Sequence, residues 1–175
     1  MNSNESITFL NENQVNFAEY PPKHVVSRNI FLKLTASDKT TKVLLHERPQ
    51  WSGVEGGKFQ LYGGTFDPET DKHPIDTATR EIWEELKLYP RNMSFFGAHD
   101  YNGFLNYYYI QRRQRVRKIR DKSGQTHIRN DKNGPPLKNG WFTLQEINKP
   151  DFIMAFNHKE VINETVRILR ARENM

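Results

Sequence analysis

Arg80-Glu81-Ile82-Trp83-Glu84-Glu85 is the stretch on which the reading of this chain turns. At about 100° per residue along a helix, Ile75, Ala78, Ile82 and Leu86 fall on one stripe, expected to face a core. Glu81, Glu84 and Glu85 fall together on a neighbouring flank roughly 100° wide. Like charges crowded on one flank repel, and helix formation has no use for them. A hard divalent cation such as Mg²⁺ removes the repulsion, because it takes oxygen ligands from carboxylates, water and substrate phosphate. Arg80, four residues ahead of Glu84, is spaced to pair with it. The plainer reading of such a charge run is a solvated acidic face; its surroundings argue for the metal.

The helix has a marked start. Pro74 suits the first helical position, where its missing N–H is no loss, and Asp76 lies at the positive end of the dipole. Pro90 limits the other end, so a helix is expected over residues 74–88. Just upstream, residues 59–62 read as a short strand ending at Gly63-Gly64, where paired glycines permit close backbone approach and suit a carbonyl facing a metal. Residues 28–34 and Lys42–Glu47 read as a hairpin around Ser37-Asp38-Lys39. Downstream come strands near 93–97, Phe104–Arg112 and 141–144, then a terminal helix over 157–172 carrying Val161, Ile162, Val166, Ile168 and Leu169. This order predicts an α/β domain with helices on both faces of a mixed sheet. Residues 1–22, polar and ending in Pro21-Pro22, read as a flexible N-terminal arm. The domain then covers 23–175, with 113–139 as a basic, hairpin-like insertion.

Residues 64–88 resemble the Nudix box, whose pattern is G-x5-E-x7-R-E-U-x-E-E-x-G-U with U apolar. Seven of its nine specified positions match: Gly64, Arg80, Glu81, Ile82, Glu84, Glu85 and Leu88. The likeness extends to Phe59-Gln60-Leu61 before the box and Gly140-Trp141-Phe142-Thr143 near the end, so it covers most of residues 24–172. The resemblance implies an α/β/α sandwich and Mg²⁺-dependent hydrolysis of a nucleoside diphosphate linked to another group, with Mn²⁺ as the alternative ion. It also implies metal ligation by Glu81, Glu84, Glu85 and the Gly64 carbonyl, with Arg80 holding the cluster and a glutamate or a loop carboxylate as base.

The chain departs from the pattern in several places. Fifteen residues separate Gly64 from Arg80 where the pattern has thirteen, so counting back from Arg80 sets Lys72 where the pattern has glutamate. Asp67, Glu69 and Asp71 are the candidates to replace it through a rearranged loop. Lys87 stands at the late glycine, and Tyr62 at the proline often found before the two glycines. No acid lies just ahead of Trp141, where some relatives carry their base; Asp131 is the nearest. Two functions follow. One is a hydrolase acting on a nucleotide, a dinucleoside polyphosphate or an RNA 5′ end. The other, motivated by Lys72, is a Nudix-fold nucleotide- or RNA-binding module without turnover. Residues 102–104 read Asn-Gly-Phe and lack the proline of ADP-ribose hydrolases, which weighs against that substrate.

Composition narrows the field further. The chain has no cysteine, which excludes disulfides, thiolate zinc sites and cysteine nucleophiles and suits a reducing, cytoplasmic compartment. No apolar run approaches the roughly 18 residues of a membrane span, and the first residues have neither the basic nor the apolar region of a signal peptide. The net charge of +5 is uneven: residues 112–132 hold nine basic against two acidic side chains, +7, leaving the remainder at −2. This stretch, beginning with Arg112 and Arg113, reads either as a clamp for RNA or polyphosphate or as a solvated hairpin. Trp51 and alternate members of Tyr101, Tyr107, Tyr108 and Tyr109 are candidates to stack on a nucleobase, although ordinary strand packing is the preferred reading of the tyrosines. The six histidines show no metal-ligand spacing, and Glu146 reads as a cap or surface residue.

Overall fold

The computed structural model describes residues 7–112, 125–127 and 138–173, without the side chains of Val54 and of residues 125–127. Its elements are β1 (Val25–Lys33), β2 (Lys42–Glu47), β3 (Phe59–Gln60), β4 (Tyr62–Thr65), α1 (Pro74–Leu86), β5 (Met93–Tyr101), β6 (Phe104–Arg112), β7 (Gln125–His127), β8 (Lys138–Thr143), the one-turn α2 (Leu144–Ile147) and α3 (His158–Glu173). Side chains alternate across a strand, and β1 uses both faces. Ile30 and Leu32 join Val161, Ile162, Val166 and Leu169 of α3 in one core. Val25 and Phe31 turn the other way, toward Ala78, Ile82 and Leu86 of α1. The result is the α/β/α sandwich that the order of elements implied.

The sheet is mixed and has β1 at its centre. β1 runs parallel to β6, from Val25↔Leu105 to Leu32↔Arg112. Its other edge is shared: β2 pairs with it at Leu32↔Val43, and β4 pairs with it from Val26↔Thr65 to Asn29↔Tyr62. β3 meanwhile pairs with the far end of β2 at His46↔Gln60. The predicted hairpin therefore splays, and β3–β4 forms a wedge between its arms. That wedge brings Gly64 against α1.

Three expectations are corrected. Helix α1 stops at Leu86, because Lys87 caps it in the left-handed region (φ +52) and donates its N–H to the Trp83 carbonyl at 3.0 Å. This is the position where the box pattern has glycine, the residue that carries no Cβ penalty there. Lys87→Gly is accordingly expected to raise the melting temperature by about 2–4 °C, corresponding to about 1 kcal/mol. A lower melting temperature would mean that the Lys87 ammonium, 5.6 Å from the Trp83 ring, outweighs the backbone strain. Ile75, expected in the core stripe, is 38% exposed; Pro74 and Thr77 take the buried positions of the first turn, and Ile75 borders a cavity.

Residues 7–20, expected to form a flexible arm, are packed along β5. Ile7 and Phe9 join the α3-side core, while Val15, Phe17 and Tyr20 pack on the α1 side. Leu10 and Ala98 exchange backbone hydrogen bonds of 2.7 and 2.9 Å, and the Tyr20 hydroxyl donates to Asp100 at 2.9 Å. β5 is an edge strand, and a covering segment satisfies part of an exposed ladder. Of the basic insertion, the described residues are those of β7 and, at the start of β8, Lys138 and Asn139; the two strands pair.

Candidate active site

The carboxylate flank of α1 lies against β4. Glu81 packs so closely on Gly64 that a Cβ there would stand 2.1 Å from Glu81 Oε1. Gly63 has φ +140, and a Cβ on it would meet the Ser27 carbonyl oxygen at 2.0 Å. The two glycines thus let β4 run between β1 and the helix with no room for side chains.

Arg80 organises the cluster. Its Nε and Nη2 donate to the two carboxylate oxygens of Asp71 at 3.1 and 2.9 Å, and its Nη1 donates to Glu81 Oε1 at 2.8 Å. Nη2 also reaches the Thr65 carbonyl at 3.1 Å, and Glu84, the partner suggested by spacing, lies at 3.5 Å. A planar guanidinium gripping both oxygens of a carboxylate is among the strongest side-chain pairings. The Asp71 side chain is 2% exposed and also accepts from the Thr77 hydroxyl at 2.8 Å and the Asp67 N–H at 3.1 Å. Burial pushes the Asp71 carboxyl up, but the bonds from Arg80, Asp67 and Thr77 outweigh it and hold it below the usual carboxylate range.

Asp71, one residue before Lys72, therefore braces Arg80 from the loop. Lys72 has no part in this: it is exposed, and its backbone N–H donates to Asp76 at 3.0 Å. Lys72→Glu is expected to change stability and any turnover by no more than about twofold, as surface substitutions do. A tenfold gain in turnover would show that position 72 lacks a group the site needs.

The three glutamates differ in setting. Glu81 is largely buried, and burial raises its affinity for a proton despite Arg80. Glu85 is also largely buried, with Oε1 3.8 Å from His46 Nε2, whereas Glu84 is half exposed. Hard oxygen donors on one flank, against a glycine whose Cβ would block the approach, fit a hard divalent cation. Among the described residues, however, no three His, Cys, Asp or Glu side chains converge on one point. Gathering the glutamates requires side-chain rotation on the flank.

A polar chain leads away from Glu85. Arg48 Nη1 donates to Gln60 Oε1 at 2.7 Å, which turns the Gln60 amide nitrogen toward His46 Nε2 at 3.0 Å. That His46 nitrogen then accepts, which assigns the ring proton to Nδ1. The His46 ring stacks on Tyr62 at 4.4 Å, and the Tyr62 hydroxyl donates to Asn139 at 2.9 Å. Beside Gly63, the buried Arg28 donates from Nη1 to the Gly63 carbonyl at 3.2 Å. The guanidinium groups of Arg28 and Arg48 lie 5.8 and 5.2 Å from the Phe156 ring, and the Nε of each is buried without a hydrogen-bond partner. Burial, joined by Arg48, lowers the affinity of Arg28 for its proton, while Tyr108, Glu85 and Glu81 oppose that shift. Two cations thus form a positive wall near the acidic flank, an arrangement suited to a phosphate-bearing ligand.

Of the residues singled out in the sequence, Arg80 contacts Glu81 and Glu84, Glu81 packs on Gly64, and Glu85 lies apart from them beside His46. Tyr108 is buried in the core on the α3 side, and Tyr107 and Tyr109, buried on the other face, line a cavity that none of the three glutamates lines. Tyr101 closes β5. Trp51 is 71% exposed on the β2–β3 loop, three residues beyond Arg48. Arg112 donates to Glu173 at 3.1 Å, and Arg113 lies outside the described residues. Glu146 caps α2 through the Thr143 N–H and hydroxyl. The sequence reading missed Arg28, His46, Arg48 and Gln60. Its one available signal was an arginine inside an apolar strand.

A sandwich of this order, with paired glycines facing a three-glutamate helix flank, defines the Nudix class. The family model described as the NUDIX domain matches residues 24–164, and the chain belongs to that family. Among solved structures, NrtR from Shewanella oneidensis superposes with a TM-score of 0.61 at 18% identity, covering 85% of this chain and 63% of that one. This chain therefore spans less than two thirds of NrtR. The NUDIX domain of the same protein, solved with ADP ribose, gives a TM-score of 0.61 at 16% identity over 90% of this chain and 95% of that one. A mutT/nudix family protein from Listeria innocua gives 0.58 at 19% identity, over 87% and 97%. At these identities the likeness is one of fold. Comparison with curated proteins gave no match.

Proposed function

We propose that this chain is a metal-dependent Nudix hydrolase that cleaves the diphosphate linkage of a nucleoside diphosphate–X substrate. The observation that carries the reading is the two-pronged Arg80–Asp71 pair, which braces the box without the glutamate missing at Lys72. Glu81, Glu84, Glu85 and the Gly64 carbonyl would hold Mg²⁺ or Mn²⁺, which when bound neutralises charge on phosphate oxygens and acidifies a water. Arg80 restrains Glu81, and Glu84 or Glu85 accepts the proton of the attacking water. Arg28 and Arg48 oppose the negative charge of the phosphates.

The ADP ribose bound by the NrtR domain supports a nucleotide-type ligand. The nine basic side chains between Arg112 and Lys132 favour an extended polyanion, such as an RNA 5′ end, over a small nucleotide. The cysteine-free sequence suits a cytoplasmic location, and among the described residues no helix is long and apolar enough to cross a membrane.

A second reading, a nucleotide-binding module without turnover, is favoured by the lack of three converging metal-ligating side chains among the described residues. The test is a product screen over nucleoside triphosphates, nucleotide sugars, ADP-ribose, dinucleoside polyphosphates and 5′-triphosphorylated or capped RNA, each with Mg²⁺ or Mn²⁺. Turnover that vanishes in Glu85→Gln supports the hydrolase and names its substrate. For RNA, log activity should fall steeply with log salt. Silence across the panel, with a ligand-induced rise in melting temperature, selects the binding module.

A further inference from the structure

The cavity bordered by Ile75 and Tyr107, of about 510 Å³, lies between the N-terminal segment, the first turn of α1 and the β5–β6 pair. We propose that it binds a small organic cation with a flat apolar body. None of Gly64, Glu81, Glu84 and Glu85 lines it, so the inference stands apart from the proposed hydrolase.

Four aromatic rings, Phe17, Phe95, Tyr107 and Tyr109, contribute to its wall. The Phe95 ring lies 5.8 Å from that of Tyr107 and 5.9 Å from that of Tyr109. Glu12 is the single charged carboxylate of the lining, and no lysine or arginine belongs to it. Aromatic faces carry negative charge density and attract cations, and a carboxylate adds to the same preference. Phosphates and carboxylates are disfavoured on both counts. The positive end of α1 points here, but Asp76 accepts the N–H groups of Lys72 and His73 at 3.0 and 2.9 Å and offsets it. Burial pushes the Tyr107 phenol up to about 12, so it remains a neutral hydrogen-bonding group at ordinary pH. The volume falls in the range of small-ligand sites, roughly 300–1,000 Å³. The setting also gives the exposed Ile75 a role, as part of the cavity's apolar rim.

The charge requirement separates this site from a merely greasy hole. Binding of N-methylquinolinium and of its neutral relative quinaldine would be measured by calorimetry on the full chain at mildly alkaline pH. The cation is expected to bind roughly tenfold tighter than the neutral ring. Glu12→Gln, a change at an exposed side chain, should bring the two within about threefold, since it removes the charge and keeps the shape. Val15→Trp, which fills the cavity, should abolish binding in protein that still melts cooperatively. If that variant fails to fold, Glu12→Gln decides alone. Equal or tighter binding of quinaldine, an unchanged cation preference in Glu12→Gln, binding that survives in folded Val15→Trp, or no binding of the cation at millimolar concentration would each overturn the proposal.

Discussion

Replacing Arg80 by methionine is expected to lower the melting temperature by about 6–20 °C at neutral pH. The substitution keeps much of the apolar stem but strands Asp71, whose side chain is 2% exposed, with the Thr77 and Thr70 hydroxyls and the Asp67 N–H as its remaining donors. Breaking a buried pair from one side costs about 3–5 kcal/mol, mostly through the uncompensated charge, and about 2–4 °C accompany each kcal/mol in a chain of this size. The loss should depend on pH in a defined sense. In the native protein the Asp71 carboxyl is held below its unfolded value, so its contribution is fully present above the unfolded value of about 3.9 and disappears as pH falls through the folded one. Without Arg80, burial, the largest single influence on this carboxyl, is opposed by the Asp67 and Thr77 bonds and is expected to raise the folded value above the unfolded one. The variant then regains stability as the buried carboxyl takes up a proton. Melting curves of the two proteins should therefore converge from neutral pH toward about pH 4. A gap that stays constant over that range would assign the effect to lost packing.

Glu85→Gln is expected to lower kcat by about 10²–10⁴, the usual worth of a positioned proton acceptor, while moving the melting temperature little. Glutamine keeps the volume beside His46 and removes the charge that a metal or an attacking water requires. Two readouts distinguish loss of the site from loss of the fold. The unliganded variant should melt near the wild type. A rise in melting temperature is expected for the wild type on adding Mn²⁺, and it should shrink or vanish in the variant. Turnover within about threefold of wild type would remove Glu85 from the chemistry.

How much of this was legible in the sequence varies with the range of the interaction. Helix α1 begins at Pro74 as its local signals indicate, and β2 and β6 have the expected limits, because caps, prolines and apolar periodicity act over a few residues. Ala78, Ile82 and Leu86 are buried as their period requires. Asp71 was one of three loop acids, and no local rule chooses it over Asp67 or Glu69; the fold of the loop beneath Arg80 does. The Arg48–Gln60–His46 chain depends on the register His46↔Gln60 between strands, which sequence spacing does not state. The N-terminal segment misled through its composition. Asn11 and Asn16 spend their side chains on the N–H groups of Asn13 and Ala18, while the few apolar residues Ile7, Phe9, Val15 and Phe17 anchor the segment.

The parallel pairing of β1 with β6 also sets the order in which the chain can complete itself. Val25 and Leu105, the first partners, are 80 residues apart, and Leu10 meets Ala98 across a similar span. At about 5–20 residues per second of synthesis, the central strand emerges roughly 4–16 s before its partner. The carboxylate helix is thus made before the strand that completes the sheet beneath it. Refolding should accordingly fall in the slow range of non-local sheets, with β1–β6 docking, not helix formation, as the step that limits it.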